Sequence, residues 1–278
     1  MSGRLSIVAT PIGCLADITL RALDVLRAAD RVLAEDTRRT RVLLTHHGIT
    51  TRTESFHAHS PDAKVDSLVA EMLAGAHLAL VSDAGMPLLS DPGGLLVRAA
   101  AEAGVRVEAI PGPSAITTAL VVSALVCDEF RFVGFLPRAG SRRERALARI
   151  AADEATTVLF ESPKRLGRTL RDLEDCLGPT RRIAVCRELT KVHEEVARGT
   201  ASELLERFGD ETRGEVTLVV EGRSEEEEAK EETPLDADAL LEELLGKGLG
   251  AKEVAFELAR ATGLPRKEAY RRVVARRG

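Results

Sequence analysis

The sequence predicts two consecutive α/β domains followed by a small all-helical domain. Short apolar runs of strand length alternate with amphipathic helical segments as far as residue 223, which is typical of mostly parallel sheets with helices on both faces. Six Glu and one Lys between residues 224 and 232 then interrupt this pattern, and only helical periodicity follows. We therefore expect domains at 1–113, 114–223 and 235–278, with an acidic linker at 224–234 that is too polar to build a core.

The first domain is organised around the apolar run at 78–81, whose length and continuity indicate a strand covered on both faces. The amphipathic helices predicted on either side of it, at 62–74 and 94–103, are each followed by a glycine that can end a helix. The other predicted elements are strands at 5–9, 31–34, 54–58 and 105–110, a helix at 17–29 and a short helix from residue 43.

The second domain is predicted to contain a higher share of strand. Residues 215–221 alternate as expected of a strand. A helix at 166–177 is closed by Gly178 and Pro179. The remaining elements are strands at 131–135, 157–160 and 182–186, a short strand after Lys191, and helices at 114–126, 142–153 and 200–208.

Three short helices are expected in the last domain, at 236–245, 251–261 and 266–276, separated by turns that contain glycine. Their tight spacing and the basic last helix suit nucleic-acid binding. The same pattern fits a small three-helix unit used for packing or dimerisation, and the sequence leaves both interpretations open.

Composition limits the classes of protein to which the chain can belong. Its 278 residues are 44% hydrophobic and 30% charged, as in a soluble globular protein. No apolar run approaches the roughly 20 residues of a membrane span, and the first residues do not resemble a secretion signal. The four cysteines are scattered, which argues against a zinc site and a disulfide framework. We therefore expect a cytoplasmic protein with no membrane contact and no metal.

The net charge of −5 hides a strong asymmetry. Residues 247–278 contain nine Lys or Arg against three Glu, and a second basic cluster lies at 138–149. A polyanion responds to local basic surface more than to the overall balance. The chain has one Tyr and no Trp, so binding of single strands by aromatic stacking is not expected.

The candidate site lies in loops beyond the carboxyl ends of the strands, where open α/β sheets place ligands. The loops at 82–93 and 111–115 are rich in Gly, Pro and Asp, although each alone also fits an ordinary strand-to-helix turn. The sequence contains no G-x-S-x-G, Walker A or G-x-G-x-x-G motif, and its histidine pairs lack a third metal ligand. This combination favours a reaction in which a reactive cosubstrate supplies the chemistry and the protein supplies alignment.

Several motifs resemble the tetrapyrrole methylase superfamily, the class III methyltransferases, and in particular its branch that methylates small-subunit ribosomal RNA. The resemblance spans most of the first 222 residues, and the helical end resembles a small helix-turn-helix domain found in that branch. Cys14 departs from the family pattern, in which Asn usually follows P-I-G, as does the segment at 57–61. The matching stretches are A-T-P-I-G at 9–13, E-D-T-R at 35–38, L-V-S-D-A-G-M-P-L-L-S-D-P-G at 80–93, I-P-G-P-S-A at 110–115, F-E-S-P-K-R at 160–165, R-E-L-T-K-V-H-E-E at 187–195 and G-E-V-T-L-V-V-E-G at 214–222.

The resemblance implies a homodimer of two-domain α/β chains that bind S-adenosylmethionine between the domains and methylate the 2′-hydroxyl of a cytidine in 16S ribosomal RNA, as naked RNA or in the small subunit. Asp83 could instead cap a helix, and Ser162 could serve only the turn before Pro163. The positions that the resemblance assigns to the cosubstrate are Pro11, Ile12, Val81, Ser82, Asp83, Gly85, Met86, Ser114, Ala115, Ser162 and Gly199.

Asp36 is the predicted catalytic base, because related methylases have a functional Asp at the matching strand end, on the acceptor side. A ribose hydroxyl is a weak acid, so either a base removes its proton or positioning suffices. Asp36 could alternatively form only a salt bridge with Arg38 or Arg39. Arg38, Arg187 and Lys191 are the residues expected to hold RNA phosphates.

Two other functions remain open at the level of sequence. The first is C-methylation of a porphyrin or corrin precursor, which would leave the basic clusters unexplained. The second is a non-catalytic RNA-binding protein on a methylase fold, which the intact loops at 80–93 and 110–115 disfavour.

Overall fold

The computed structural model describes residues 3–57, 60–89, 93–209, 212–224, 237–247, 249–262 and 266–277. The chain divides into one unit at Met1–Gly222 and another at Arg223–Gly278. Nearly all of the predicted acidic linker at 224–234 lies outside the described residues.

A five-stranded, fully parallel sheet forms the first half of the larger unit, with strand order β3-β2-β4-β1-β5. Its central strand is the apolar run singled out in the sequence, and all five residues of that strand are buried. Helices cover both faces, so the strand has no solvated side. The elements are β1 (Arg4–Val8), α1 (Leu20–Ala28), β2 (Arg31–Ala34), α2 (Thr37–His46), β3 (Thr53–Ser55), α3 (Asp62–Leu73), β4 (His77–Val81), α4 (Gly94–Glu102) and β5 (Arg106–Ile110).

Two helix starts differ from the sequence prediction because side chains cap them. The helix predicted from residue 17 begins at Leu20, since the Thr19 side chain accepts a hydrogen bond from the Ala22 amide. The helix predicted from residue 43 begins six residues earlier, at Thr37, after a cap by Asp36. The first turns of α2 carry mostly polar residues, so the sequence has no apolar periodicity there that would indicate a helix.

The second half of the larger unit contains a mixed sheet with strand order β6-β7-β10-β8-β9. Strands β6 and β7 are parallel, and the other neighbours are antiparallel. A buried leucine- and valine-rich cluster joins this sheet to its helices. The elements are α5 (Ala115–Ser123), β6 (Phe130–Phe135), α6 (Ser141–Ala152), β7 (Thr156–Glu161), α7 (Leu166–Leu177), β8 (Ile183–Arg187), β9 (Glu195–Gly199), α8 (Ala201–Phe208) and β10 (Val216–Val220).

The smaller unit consists, in its described part, of α9 (Ala237–Gly246), α10 (Ala251–Thr262) and α11 (Arg266–Arg277). These bounds agree with the predicted helices to within one residue. Its core is formed by buried residues of all three helices, including Leu241, Leu258 and Val273. The predicted turn residues at 248 and 263–265 lie outside the described residues. No helix in the described part of the chain is long and apolar enough to cross a membrane.

A polar cluster lies at the amino ends of β1, β4 and β5. His77 is buried, with Nε2 2.9 Å from Ser6 Oγ and Nδ1 3.2 Å from Arg4 Nη2. Because the Ser6 hydroxyl donates to Glu108 at 2.8 Å, the hydrogen of His77 must sit on Nε2, and Nδ1 accepts from Arg4. Burial, followed by the charge of Arg4, lowers the pKa of His77.

We expect the free energy of unfolding to fall as the pH drops below about 6.5, the ordinary pKa of histidine. The pKa of His77 is lower in the folded chain than in the unfolded chain, so acid protonates the unfolded chain first and favours it. Urea unfolding at about pH 7.5 and about pH 5 measures the loss of unfolding free energy between the two pH values. This loss should be smaller for His77→Gln than for the wild type. The control is His46→Gln, at an exposed residue of α2. Equal losses in wild type and His77→Gln would contradict the expectation.

Candidate active site

The loops after β1 and β4 form one side of the site. The Thr10 amide donates to the Gly85 carbonyl at 2.9 Å, and the Gly85 amide donates back at 3.0 Å. Gly85 has a φ of 78°, in the left-handed region that favours glycine. This two-way bridge holds both loops side by side at the carboxyl edge of the first sheet.

The loop after β8 brings the second half of the unit against the first. Thr190 Oγ1 accepts a hydrogen bond of 3.1 Å from the Cys14 amide. A Cβ at Gly13 would lie 2.9 Å from the Leu189 carbonyl oxygen and 2.5 Å from Lys191 Cγ. Side chains do not tolerate such distances, so the close approach of these loops depends on glycine at position 13.

A cavity of about 440 Å³ lies between the loops of the two sheets, and we call it the larger cavity because a smaller one lies beside it. Its walls are mainly apolar, with a few carboxylates, which is typical of a small-molecule site. Both sheets contribute residues to it. The predicted binding residues that line it are Ile12, Asp83, Gly85, Met86, Ser114, Ala115 and Ser162.

Sequence reasoning missed several residues that line this cavity. Arg39 and Glu161 lie next to or inside motifs quoted for the family resemblance, so the sequence contained a signal for them. Phe160 and Glu215 also lie inside such motifs, at 160–165 and 214–222, whereas nothing in the sequence context of Phe135 distinguished it from an ordinary strand residue. Their position depends on how the two sheets face each other.

The amino terminus of α5 lines the larger cavity. Ser114 is the N-cap residue, but its side chain makes no capping hydrogen bond. The amides of the first turn of a helix have no partner within the helix and favour negatively charged groups. This end of the cavity can therefore bind a carboxylate through the first amides of α5 and the Ser114 hydroxyl.

Asp83 connects the β4 loop to the start of α2. Its Oδ1 accepts a hydrogen bond of 3.0 Å from the Asp36 amide, and its Oδ2 lies 3.5 Å from Arg39 Nη1. Asp83 is not the N-cap residue of a helix, since Asp36 caps α2 and Gly93 precedes α4, but its bond to the Asp36 amide ties it to the start of α2. The half-buried carboxylate therefore orders the two loops as well as facing the cavity.

A second cavity of about 330 Å³, the smaller cavity, adjoins the larger one on the α2 side. Pro11, Ser82 and Lys191, all predicted site residues, line it. It shares Ile12, Arg39, Asp83, Ala84 and Glu215 with the larger cavity, so the two cavities lie side by side, and we call them together the cleft.

Asp36 lies at the amino terminus of α2 and lines neither of these cavities, although its amide contacts Asp83. Its carboxylate accepts hydrogen bonds from the Arg38 amide at 2.8 Å and from Arg38 Nε and Nη2 at 3.2 and 2.9 Å. The Arg38 side-chain bonds, with the backbone bond, lower the pKa of Asp36 to about 2. The salt bridge with Arg38, which the sequence left as an alternative role for Asp36, is therefore present.

The three predicted RNA-binding residues are all paired with carboxylates. Arg38 bonds Asp36, and Arg187 Nη2 lies 2.8 Å from Glu195 Oε2. Lys191 Nζ lies 2.7 Å from Glu188 and 3.0 Å from Glu215. Burial opposes the charge of Lys191, but these carboxylates outweigh it and raise its pKa. The positive charges of Arg38, Arg187 and Lys191 are thus largely neutralised.

Two predicted cosubstrate contacts need correction. The side chain of Val81 is buried in the core between the first sheet and its helices, and it lines neither cavity. Gly199 pairs with Ile183, at the start of β8. The other end of β8, at Arg187, pairs with Val216, and Val216 lines the larger cavity. Gly199 therefore lies at the opposite end of the sheet from the cleft, and we no longer assign it a contact.

A buried polar network supports the wall formed by the β7 loop. Glu161 Oε1 accepts from the Ser162 amide at 2.7 Å and lies 3.2 Å from Arg165 Nε. Its Oε2 accepts from Thr169 Oγ1 at 2.6 Å, and Arg143 Nη2 donates to the same hydroxyl oxygen at 2.9 Å. A buried carboxylate satisfied on both oxygens holds its loop rigidly. Ser162 thus begins a turn and also lines the cavity.

Two kinds of chemistry find no support in the cleft. Cys186 lines the larger cavity, but burial raises the pKa of its thiol to about 12, so it is not a thiolate nucleophile near neutral pH. Among the described residues, no group of three His, Cys, Asp or Glu side chains is arranged to hold a metal ion.

Comparison with family models gives two matches. Residues 4–205 match the model of the tetrapyrrole (corrin/porphyrin) methylases. Residues 231–277 match the model described as the RsmI C-terminal HTH domain.

Curated relatives match over nearly the whole chain. Proteins named ribosomal RNA small subunit methyltransferase I are similar at 45% identity in Mesorhizobium japonicum, over 97% of this chain and 91% of the relative. The relative from Escherichia coli O157:H7 is 43% identical over 99% of this chain and 96% of its own length. That from Mycobacterium tuberculosis is 43% identical over 94% of this chain and 90% of its own length.

Solved structures share the fold at lower sequence identity. A cobalt precorrin-4 methyltransferase aligns with a TM-score of 0.59 at 18% identity, covering 78% of this chain and 94% of its own. The uroporphyrin-III C-methyltransferase from Thermus thermophilus aligns with a TM-score of 0.56 at 22% identity, covering 80% and 93%. At these identities the likeness establishes the fold alone.

Gly13→Ala should loosen the contact between the two halves of the larger unit, because its Cβ would overlap atoms of the β8 loop. We expect the free energy of unfolding to fall by about 1–3 kcal/mol, as for other overpacked sites. Urea unfolding measures this, and calorimetry with S-adenosylhomocysteine should show weaker binding. Gly94→Ala is the matched control, since no atom lies within 4 Å of its added Cβ. Unchanged stability and binding in Gly13→Ala would refute the close contact.

Proposed function

The chain belongs to the tetrapyrrole methylase family, and we propose that it transfers a methyl group from S-adenosylmethionine to the 2′-hydroxyl of a cytidine in small-subunit (16S) ribosomal RNA. The observation that supports this most directly is the match over nearly the full chain to relatives named as small-subunit ribosomal RNA methyltransferases. The enzyme is thus an S-adenosylmethionine-dependent methyltransferase, and we propose the cleft between the two sheets as its site.

The larger cavity fits S-adenosylmethionine in size and chemistry. Pockets for ligands of this class range from about 300 to 1,000 Å³, and this one measures about 440 Å³. Its apolar walls, including Ile12, Met86 and Phe160, suit an adenosine, and the first amides of α5 suit the carboxylate of the amino-acid part. Asp83 and Glu215 complement the positive charge of a sulfonium. When bound, the cosubstrate supplies an electrophilic methyl group.

The smaller cavity is the proposed entrance for the acceptor nucleotide. It adjoins the larger cavity at Asp83 and is lined on its other side by α2, so a ribose placed there would lie next to the methyl donor. In the transfer, the acceptor oxygen gains the methyl carbon, the carbon–sulfur bond breaks, and the hydroxyl proton leaves. The protein's contribution is alignment of the two groups in a straight approach.

Asp36 is proposed to accept a hydrogen bond from the acceptor hydroxyl. Its side chain does not line the smaller cavity, but it caps α2, whose residues Arg39 and Thr40 do. A carboxylate has about four acceptor sites, and its three recorded bonds leave one available. With a pKa of about 2, Asp36 holds a proton weakly at neutral pH, so water is the final proton acceptor. We therefore propose Asp36 as the group that receives the hydroxyl proton in the transition state and passes it on to water, which is the base role that the sequence predicted.

We propose domains at 1–113 and 114–223, an acidic linker at 224–234 and a helix-turn-helix-like domain at 235–278. A homodimer is supported by exposed apolar residues on and near β6, an edge strand of its sheet in the described part of the chain, since such an edge invites pairing. A cytoplasmic location follows from the proposed ribosomal substrate. The exposed apolar residues are Val126, Phe130, Val133 and Phe135.

The test of the function is incubation of the protein with labelled S-adenosylmethionine and small ribosomal subunits that lack 2′-O-methylcytidine. We expect one cytidine ribose to be labelled, and mapping of the modified nucleotide checks this. Naked 16S ribosomal RNA, run in parallel, identifies the substrate form. Label on a porphyrin precursor and none on RNA would contradict the proposal.

Asp36→Asn should lower the rate of methyl transfer about 100-fold or more, in the range typical of a lost proton-handling group. Asparagine still caps α2, so calorimetric binding of S-adenosylmethionine should stay near that of the wild type. Because the pKa of Asp36 is about 2, the wild-type rate should show no acid limb from this residue above about pH 4. Asp24→Asn, at an exposed ion pair with Arg27, is the control. Near-normal turnover in Asp36→Asn would reduce Asp36 to a helix cap.

A further inference from the structure

A row of exposed cations runs along α6 and the two loops beside its amino terminus. Arg142, Arg145 and Arg149 are three and four residues apart, so they share one face of the helix. Arg138 and Lys164, in the adjacent loops, are also exposed. We call these five residues the α6 basic face.

The cations of the α6 basic face are unpaired. Within the part of the chain that the structure describes, none of the five makes an ion pair or a side-chain hydrogen bond. Glu144 is the only acidic residue in the sequence of α6. Arg38, Arg187 and Lys191, in contrast, already contact carboxylates. The α6 basic face therefore presents positive charge that no neighbouring carboxylate neutralises, and a polyanion is its natural complement.

The α6 basic face begins at the mouth of the cleft. Phe135 and Pro163 line the larger cavity, and Arg138 and Lys164 follow them by three residues and one residue. The loops that carry them are joined, because the guanidinium of Arg165 donates to the Leu136 carbonyl at 2.7 Å. From there the face follows the 12 residues of α6 for about 18 Å, at 1.5 Å per residue.

Buried bonds hold the helix in place beneath these cations. Arg143, on the opposite face of α6, is 3% exposed. Its guanidinium donates to Asp172 at 2.6 Å, to Thr169 Oγ1 at 2.9 Å and to the Pro137 carbonyl at 3.1 Å. Since Thr169 also bonds Glu161 in the cavity wall, α6 and the cavity share one rigid support.

We propose that the α6 basic face binds the phosphates of the ribosomal RNA strand that leads the acceptor nucleotide into the cleft. The inference rests on the proposed function and adds the surface on which the RNA is held. Phosphate contacts of this kind set affinity and register and carry no base sequence. The role expected earlier of Arg38, Arg187 and Lys191 would then be secondary, because RNA must displace their carboxylate partners.

The test compares two triple variants with the same net charge. Arg142→Gln, Arg145→Gln and Arg149→Gln remove the helical part of the α6 basic face. Arg52→Gln, Arg98→Gln and Arg182→Gln, at exposed residues without recorded side-chain partners, form the control. Unmethylated small ribosomal subunits are the probe, and their dissociation constant is measured from about 50 to 200 mM salt.

The dissociation constant for the subunit should be at least about tenfold higher for the α6 variant than for the wild type. The slope of log affinity against log salt should be lower by about 2, because each phosphate contact on a single strand contributes about 0.7 to it. Calorimetric binding of S-adenosylmethionine should match the wild type in both variants, and the control variant should keep the wild-type slope. A wild-type slope in the α6 variant would overturn this inference while leaving the methyltransferase proposal standing. Absence of methyl transfer to RNA by the wild type would overturn both.

Discussion

The close approach of two loops at Gly13 is the constraint on which the site depends. The loop after β8 meets the loop after β1 with no space for a side chain between them. The Thr190 hydroxyl completes the contact by accepting a hydrogen bond from the Cys14 amide. Because these loops extend from different sheets, their contact determines how far apart the sheets stand. The cleft between the carboxyl edge of the first sheet and the facing edge of the second exists only at that separation.

Charge is distributed unevenly around this cleft. Carboxylates line its interior, where Asp83 and Glu215 face both cavities, and nearby cations are bound to carboxylates. Unpaired cations lie outside it, along α6. A positively charged methyl donor is favoured by the carboxylates inside the cleft, and a negatively charged RNA is favoured by the cations along α6. The overall net charge of −5 gives no indication of it.

Much of the fold could be predicted from local sequence, because apolar runs and helix-ending glycines report local structure. The strand at 78–81 and the helices at 62–74 and 166–177 follow this rule. The early start of α2 could not be predicted, since a side-chain cap at Asp36 replaces apolar periodicity as its cause. The order of strands in each sheet also depends on long-range pairing, which local periodicity does not encode.

The site could be predicted in part for a related reason. Motif residues directly after strands, such as Asp83 and Ser114, line the cleft because strand ends meet at one edge. Val81 lies one position before such a loop, and its side chain points into the core. Gly199 is the last residue of β9, which runs antiparallel to β8, so the carboxyl end of β9 faces away from the cleft. Ion pairing of the predicted RNA-binding residues depends on distances that the sequence does not contain.

The most direct test of the central claim is a crystal structure of the protein with S-adenosylhomocysteine. We predict density for the ligand in the larger cavity, between the Asp83 loop and the first turn of α5, with the sulfur facing the smaller cavity. A ligand bound elsewhere, with the larger cavity closed by the β8 loop, would contradict the account.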